Sequence, residues 1–152
     1  MKFLRKPAVN TAVISVISAF YAFVFIFTSG HIEFDSMLNH SKTLNSSFWN
    51  GWSDFIKNGN MKYIGCFYIA TALIIAIISL IHKKEYDEYQ AGIFEKGVMI
   101  MGTVMLCLFP VALIMILSDA NYAVEMLMFL VTAHWTVVLA ADLIYVIRWI
   151  NS

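Results

Sequence analysis

Three ionisable side chains interrupt the last long apolar stretch of the chain: Glu125, His134 and Asp142. An ionisable group inside hydrocarbon is costly, so such residues commonly mark ion or proton paths, ligand sites or polar helix contacts. A helix rises 1.5 Å and turns about 100° per residue, which places Asp142 about 12 Å beyond His134 and about 80° around the axis. These two groups can therefore line one side of a helix without touching each other.

Glu125 points away from that pair. Nine positions separate Glu125 from His134, an angular offset of about 180°. The three groups thus form no continuous path along one helix, and an ion or proton path needs partners from other helices. Asn10 lies in the first apolar segment at a depth comparable with that of Asp142, and we expect these two side chains to form a hydrogen bond. The candidates for ion or proton transfer, or for polar packing, are therefore His134, Asp142, Glu125 and Asn10.

The segments that must position these groups are apolar enough to cross a membrane. The 152-residue chain is 61% hydrophobic and 13% charged, against roughly 45–50% and 25% in soluble domains. A helix needs about 20 apolar residues to cross a bilayer, and backbone polar groups in lipid must be satisfied within the segment. The predicted fold class is an all-α membrane protein, a four-transmembrane-helix bundle that forms a single domain over residues 1–152. The predicted spans are about 8–28, 63–81, 98–117 and 122–147.

Basic residues predict the orientation, because they are enriched in cytoplasmic loops. Seven flank the spans on one side and three on the other: Lys2, Arg5, Lys6, Lys83, Lys84, Lys96 and Arg148 against Lys42, Lys57 and Lys62. We therefore expect both termini and a loop at 82–97 in the cytoplasm, and an outer loop at 30–62. Ten basic and ten acidic residues cancel, so no basic excess suggests nucleic acid as a partner.

The outer loop contains an aromatic segment with helical spacing. Trp49, Trp52 and Ile56 fall on one face, with Phe55 beside them, which predicts a short amphipathic helix at the membrane interface. Ser47 and Gly59 are suited to its start and end. Such a helix serves either as an aromatic anchor that sets the depth of the second span, or as a lid or docking surface for a partner.

Small and hydroxyl side chains recur at helical spacing in the first span: Thr11, Ser15, Ser18 and Ala22. Small residues allow transmembrane helices to approach closely, so this stripe predicts a helix-packing seam.

The sequence contains no set of residues that would establish catalysis, a metal site or a cofactor. No GxSxG or HExxH motif occurs, so we assign no catalytic residue. His134 is a candidate haem ligand, but haem b most simply takes two facing histidines, and His31 and His82 lie at the edges of spans. A divalent cation held by an extended outer loop is a weaker alternative; its ligands would be His31, Glu33, Asp35 and His40. We predict neither a metal nor a cofactor.

The function favoured by these patterns is that of a small polytopic membrane protein without enzymatic activity. It would be an accessory or structural subunit, or an interaction partner, of a larger membrane assembly, in contact with the bilayer and with other membrane subunits or further copies of itself. The first alternative is an oligomeric channel or transporter that uses His134 and Asp142. The second alternative is a redox subunit that binds haem.

Overall fold

The computed structural model describes residues 6–38, 40–42, 46–81 and 88–151, and this described part is helical, with no β-strand. Four helices are long and apolar enough to cross a membrane: α1 (Pro7–Thr28), α4 (Met61–Ile81), α5 (Glu88–Ser118) and α6 (Ala123–Asn151). Two short helices lie between α1 and α4, namely α2 (Ile32–Leu38) and α3 (Ser47–Lys57). A single 3₁₀ turn, Ala120–Tyr122, joins α5 to α6.

The long helices pack in a defined order. Helix α1 lies along α4, α4 packs against α6, and α5 lies along α6 on another side. The hydrophobic core between them includes the fully buried side chains of Phe25, Tyr68, Ile75 and Leu139. Helix α6 is the most connected of the long helices. Besides α4 and α5, the short helices α2 and α3 and the 3₁₀ turn also pack against it.

Glycines with positive φ lie where the chain leaves the C-terminal end of α1 and enters the N-terminal end of α4. Gly30 (φ 78°) follows α1, and Gly59 (φ 69°) lies between α3 and α4. A Cβ atom at Gly59 would lie 3.7 Å from the backbone nitrogen of Gly30, so the two turns are in close contact. The left-handed backbone that glycine adopts readily thus lets the chain leave α1 and enter α4 at neighbouring positions.

Helix α5 differs from the sequence prediction. The expected loop at 82–97 is helical from Glu88 onward, so α5 begins ten residues before the predicted span at 98–117. Gly92 and Gly97 are tolerated within the helix at a cost of about 1 kcal/mol each relative to alanine. The added turns pack against α6, where the Phe94 and Tyr145 rings meet at 5.5 Å.

Candidate functional site

The N-terminal end of α6 carries a buried carboxylate that joins three parts of the chain. Glu125, in the first turn of α6, is fully buried. Its Oε1 atom accepts hydrogen bonds from the Lys42 ammonium, with which it forms an ion pair, and from the Ser53 hydroxyl at 2.9 Å. The Trp52 indole donates a hydrogen bond to the backbone carbonyl of Glu125 at 2.9 Å. Glu125 therefore fixes both the loop before α3 and α3 itself onto α6.

Lys42 lies mostly out of contact with water, with 10% of its side chain exposed. Burial lowers the pKa of this lysine from its ordinary value, and the nearby Lys57 lowers the pKa further. The ammonium also donates to Ser53 Oγ at 2.8 Å and lies 4.7 Å from the centre of the Tyr122 ring. The carboxylate of Glu125, the hydroxyl and the ring together offset the loss of hydration of the ammonium.

The aromatic residues of α3 meet one ring of α6. Phe129 lies edge-on to Trp49 at 5.2 Å and to Trp52 at 5.8 Å. Phe55 stacks on Trp52 at 5.5 Å, and Ile56 is buried in the main core. The side chains predicted as an interfacial anchor or docking face thus lie largely against the chain itself.

The C-terminal half of α6 carries the second buried carboxylate. Asp142 accepts, through Oδ1, a hydrogen bond from the Asn10 amide, and both side chains are buried. The hydrogen bond expected from their matching depth is therefore present. One residue further along α1, Thr11 donates to Ser79 of α4 at 2.8 Å. Polar contacts at this level therefore connect α1 to both α6 and α4.

The small-residue stripe of α1 faces its neighbours in the same chain. Ser18 is buried and accepts a hydrogen bond from the Trp135 indole at 3.1 Å. A Cβ atom at Gly65 would lie 3.1 Å from the carbonyl oxygen of Ala22, which shows how closely α1 and α4 approach. Ser15 is half-buried on the same helix.

The three ionisable groups of α6 are not brought together. Glu125 pairs with Lys42, Asp142 pairs with Asn10, and His134 is half-buried between them. Each of these three groups has one buried atom without a hydrogen-bond partner among the described residues: Glu125 Oε2, His134 Nδ1 and Asp142 Oδ2. These three atoms remain available for a proton, an ion or a further partner.

Metal-ligand sets are absent from the described residues, in which no three His, Cys, Asp or Glu side chains cluster. The extended loop expected to offer cation ligands is instead helical in α2, which contains Glu33 and Asp35. His31 stacks on Phe27 at the end of α1, and His82 lies outside the described residues. A haem on His134 stays an untested alternative.

Sequence reasoning missed the importance of Lys42 and Tyr68. The loop around Lys42 has no periodic pattern that would fix its position, although a buried glutamate near the end of a span calls for a cation close by. Tyr68 donates from mid-helix α4 to the Thr132 carbonyl at 2.9 Å. A tyrosine deep in a span signals such a bond, because its hydroxyl needs a partner there.

Comparison of the chain with protein-family models, with curated proteins and with solved structures gives no match.

Proposed function

We propose that this protein is a non-enzymatic accessory or structural subunit of a larger membrane assembly, and that the outer face of α5 contacts the partner. The outer face of α5 is the side of this helix that is turned away from α6, and it is formed by Met99, Thr103, Leu106 and Pro110. Here the word outer does not refer to a side of the membrane. The observation that carries the proposal is the one-sided packing of α5, whose span is the least buried of the four. Helix α5 packs against α6 and the adjoining 3₁₀ turn, so its opposite side is available to another helix.

The outer face of α5 has the shape that close helix contact requires. Met99 is 72% exposed and Leu106 is 76% exposed. Between them lie Thr103 and, at the edge, Gly102, and a Cβ atom at Gly102 would meet nothing within 4 Å. Small residues between larger ones let a second helix approach closely. In lipid no hydrophobic force draws helices together, so close packing of this kind drives their association.

The polar groups within the spans support a structural role. Glu125 and Asp142 each bind a side chain from another part of the chain. Polar contacts of this kind fix the relative positions of helices in lipid. A subunit that presents a rigid surface to a partner needs this internal order and needs no catalytic group.

The orientation of this subunit follows from the distribution of cations. We place both termini and residues 82–97 in the cytoplasm and residues 30–62 outside, according to the preference of basic residues for cytoplasmic loops. Helix α3 then lies at the outer interface. Its exposed Phe48, and Ile32 and Met37 of α2, are suited to contact with lipid headgroups and the adjacent acyl chains.

Substitution at Gly102 tests the contact face. In gentle detergent or a nanodisc, we expect the wild-type protein to migrate in a complex larger than one chain, and Gly102→Leu to release it as a folded monomer. Ala70→Leu is the matched control, because Ala70 is exposed in the middle of α4. A monomeric wild-type protein in a nanodisc, or equal effects of the two substitutions, would contradict the proposed face.

A second candidate function is that of an oligomeric channel or transporter that uses His134 and Asp142. The unpartnered Asp142 Oδ2 and His134 Nδ1 atoms favour it, because such atoms can receive a proton or an ion. Flux into vesicles tests this candidate. Transport requires that Asp142→Asn and His134→Ala abolish flux with folding intact, whereas the subunit proposal predicts an unchanged complex in both variants.

A further inference from the structure

An open groove of about 420 Å³ lies between α5 and α6, on the side away from the outer loop. Its floor is apolar and contains small side chains, including Gly97, Ala140 and Ala141. A Cβ atom at Gly97 would lie 3.8 Å from the Cβ of Ala141, so the two helices meet closely there. Exposed Ile100 and Ile144 form part of the walls, which makes the groove accessible from the surrounding lipid.

Two cations line the same groove. Lys96 and Arg148 both border it, together with Tyr89, and none of its lining residues in the described part is acidic. Both cations lie at the ends of apolar runs, where long basic side chains extend toward the headgroup layer. Arg148 lies seven residues beyond Ala141, about 10 Å along the axis, at the polar end of the groove. Lys96 directly precedes Gly97, which meets Ala141, so this second cation lies nearer the middle of the groove.

The length of the groove corresponds to one leaflet. Its lining extends from Arg148 to Val137 on α6 and from Tyr89 to Ile100 on α5. Each stretch covers eleven helical steps, or about 16 Å. Half of a hydrocarbon core about 30 Å thick is about 15 Å. A phosphate held between the levels of Arg148 and Lys96 leaves the apolar part of the groove, toward Val137 and Ile100, for part of one acyl chain.

We propose that this groove binds an anionic glycerophospholipid, with the phosphate between Lys96 and Arg148 and one acyl chain between α5 and α6. The argument for this occupant is charge complementarity combined with an apolar floor that continues beyond the cations. Basic pockets between transmembrane helices bind anionic headgroups by the same combination. The site is separate from the outer face of α5, so it does not depend on the proposed subunit contact.

Native mass spectrometry of the full chain tests the proposal. The probes are phosphatidylglycerol and phosphatidylcholine with identical acyl chains, added to delipidated protein. Each basic residue near an anionic headgroup is worth about a fivefold preference, so the double variant Lys96→Gln/Arg148→Gln should lose about 30-fold of its affinity for phosphatidylglycerol. Ala140→Leu, which fills the groove, should weaken the binding of both lipids.

Matched controls separate this site from general attraction to lipid. Lys62→Gln removes an exposed cation from the first turn of α4, and Ala70→Leu adds the same bulk elsewhere. We expect both to bind the lipids as the wild type does. Equal affinity of the wild type for the two lipids, or equal losses in Lys62→Gln and the double variant, would overturn the proposal. A dimer that disappears in Ala140→Leu would also overturn it and assign the groove to a second copy of the chain.

The variants are designed to remain folded. Lys96, Ala140 and Arg148 are all exposed, and loss of the cation at the end of α6 costs only about 0.3–1 kcal/mol through the helix dipole. Circular dichroism checks that the helices persist. Should Ala140→Leu unfold, the comparison of the wild type with Lys96→Gln/Arg148→Gln and with Lys62→Gln still decides the matter.

Discussion

Removal of Lys42 should destabilise the protein far more than removal of any exposed lysine. Lys42→Met leaves the fully buried Glu125 carboxylate with Ser53 as its remaining hydrogen-bond donor. Breaking a buried ion pair in this way costs about 3–5 kcal/mol, because the remaining charge stays buried. Glu125→Gln should cost less, about 1.5–3 kcal/mol, because it removes a hydrogen bond to a charged group but leaves the ammonium beside the Tyr122 ring.

The double variant decides whether the two residues act as a pair. Lys42→Met/Glu125→Gln removes both charges and keeps an amide oxygen for Ser53, so its cost should fall short of the summed single costs by about 2–3 kcal/mol. The assay is reversible unfolding in mixed detergent micelles with increasing sodium dodecyl sulfate. Tryptophan fluorescence reports the transition, because Trp49 and Trp52 lie in this region.

An exposed lysine provides the control for the Lys42 and Glu125 variants. Lys62→Met removes an exposed lysine and should change the free energy of unfolding by less than about 0.5 kcal/mol. Additivity of the two single costs within about 0.5 kcal/mol would show that the ion pair does not exist in solution. The attachment of the loop before α3 to α6 through Lys42 and Glu125 would then be wrong.

Three further predictions concern the contacts among the long helices, each measured by the same unfolding assay. Gly65→Val should cost about 1–3 kcal/mol by forcing α1 away from α4 at Ala22, whereas Gly102→Val should cost less than about 1 kcal/mol; equal costs would contradict the close approach. Asn10→Ala should destabilise the protein by about 1–3 kcal/mol, because it leaves a buried Asp142 oxygen without a donor; a neutral effect would refute this. Ser18→Ala should cost about 0.5–1.5 kcal/mol through loss of the Trp135 hydrogen bond, and a wild-type transition in that variant would show that the bond contributes nothing.

Much of the helical framework could be predicted because hydrophobicity acts locally. The four spans and the helix at Ser47–Lys57 follow from runs and spacings of apolar residues, and Gly59 does lie just beyond that helix with a positive φ. The start differs by one residue, since the Ser46 side chain, rather than that of Ser47, caps the helix. The early start of α5 was missed because the polar residues from Glu88 onward are typical of a loop by composition.

The contacts of the candidate site could be predicted only in part. Depth along a span can be counted in residues, which is why the bond between Asn10 and Asp142 could be expected. The partner of Glu125 could not, because Lys42 belongs to a loop whose path depends on the completed tertiary structure. Periodicity also identifies a small-residue face on α1 but does not say whether that face contacts the same chain or another one.

The polar contacts between helices specify register more than they contribute stability. In lipid, interhelical hydrogen bonds contribute about 0.6 kcal/mol each on average. Those made by Asn10, Thr11, Ser18 and Tyr68 therefore total only about 2–3 kcal/mol. These bonds occur at different depths and connect α1, α4 and α6, so sliding one helix by a turn would break several of them together.

Helix α5 is positioned by different means. Its described contacts with α6 include the Phe94 and Tyr145 rings and the close approach of Gly97 to Ala141. Close packing of this kind depends on shape and on what fills the adjoining groove between the two helices. An acyl chain in that groove would add contacts to both helices and hold α5 at a fixed angle. If both proposals hold, loss of the groove lipid should therefore weaken a partner contact that depends on the position of α5.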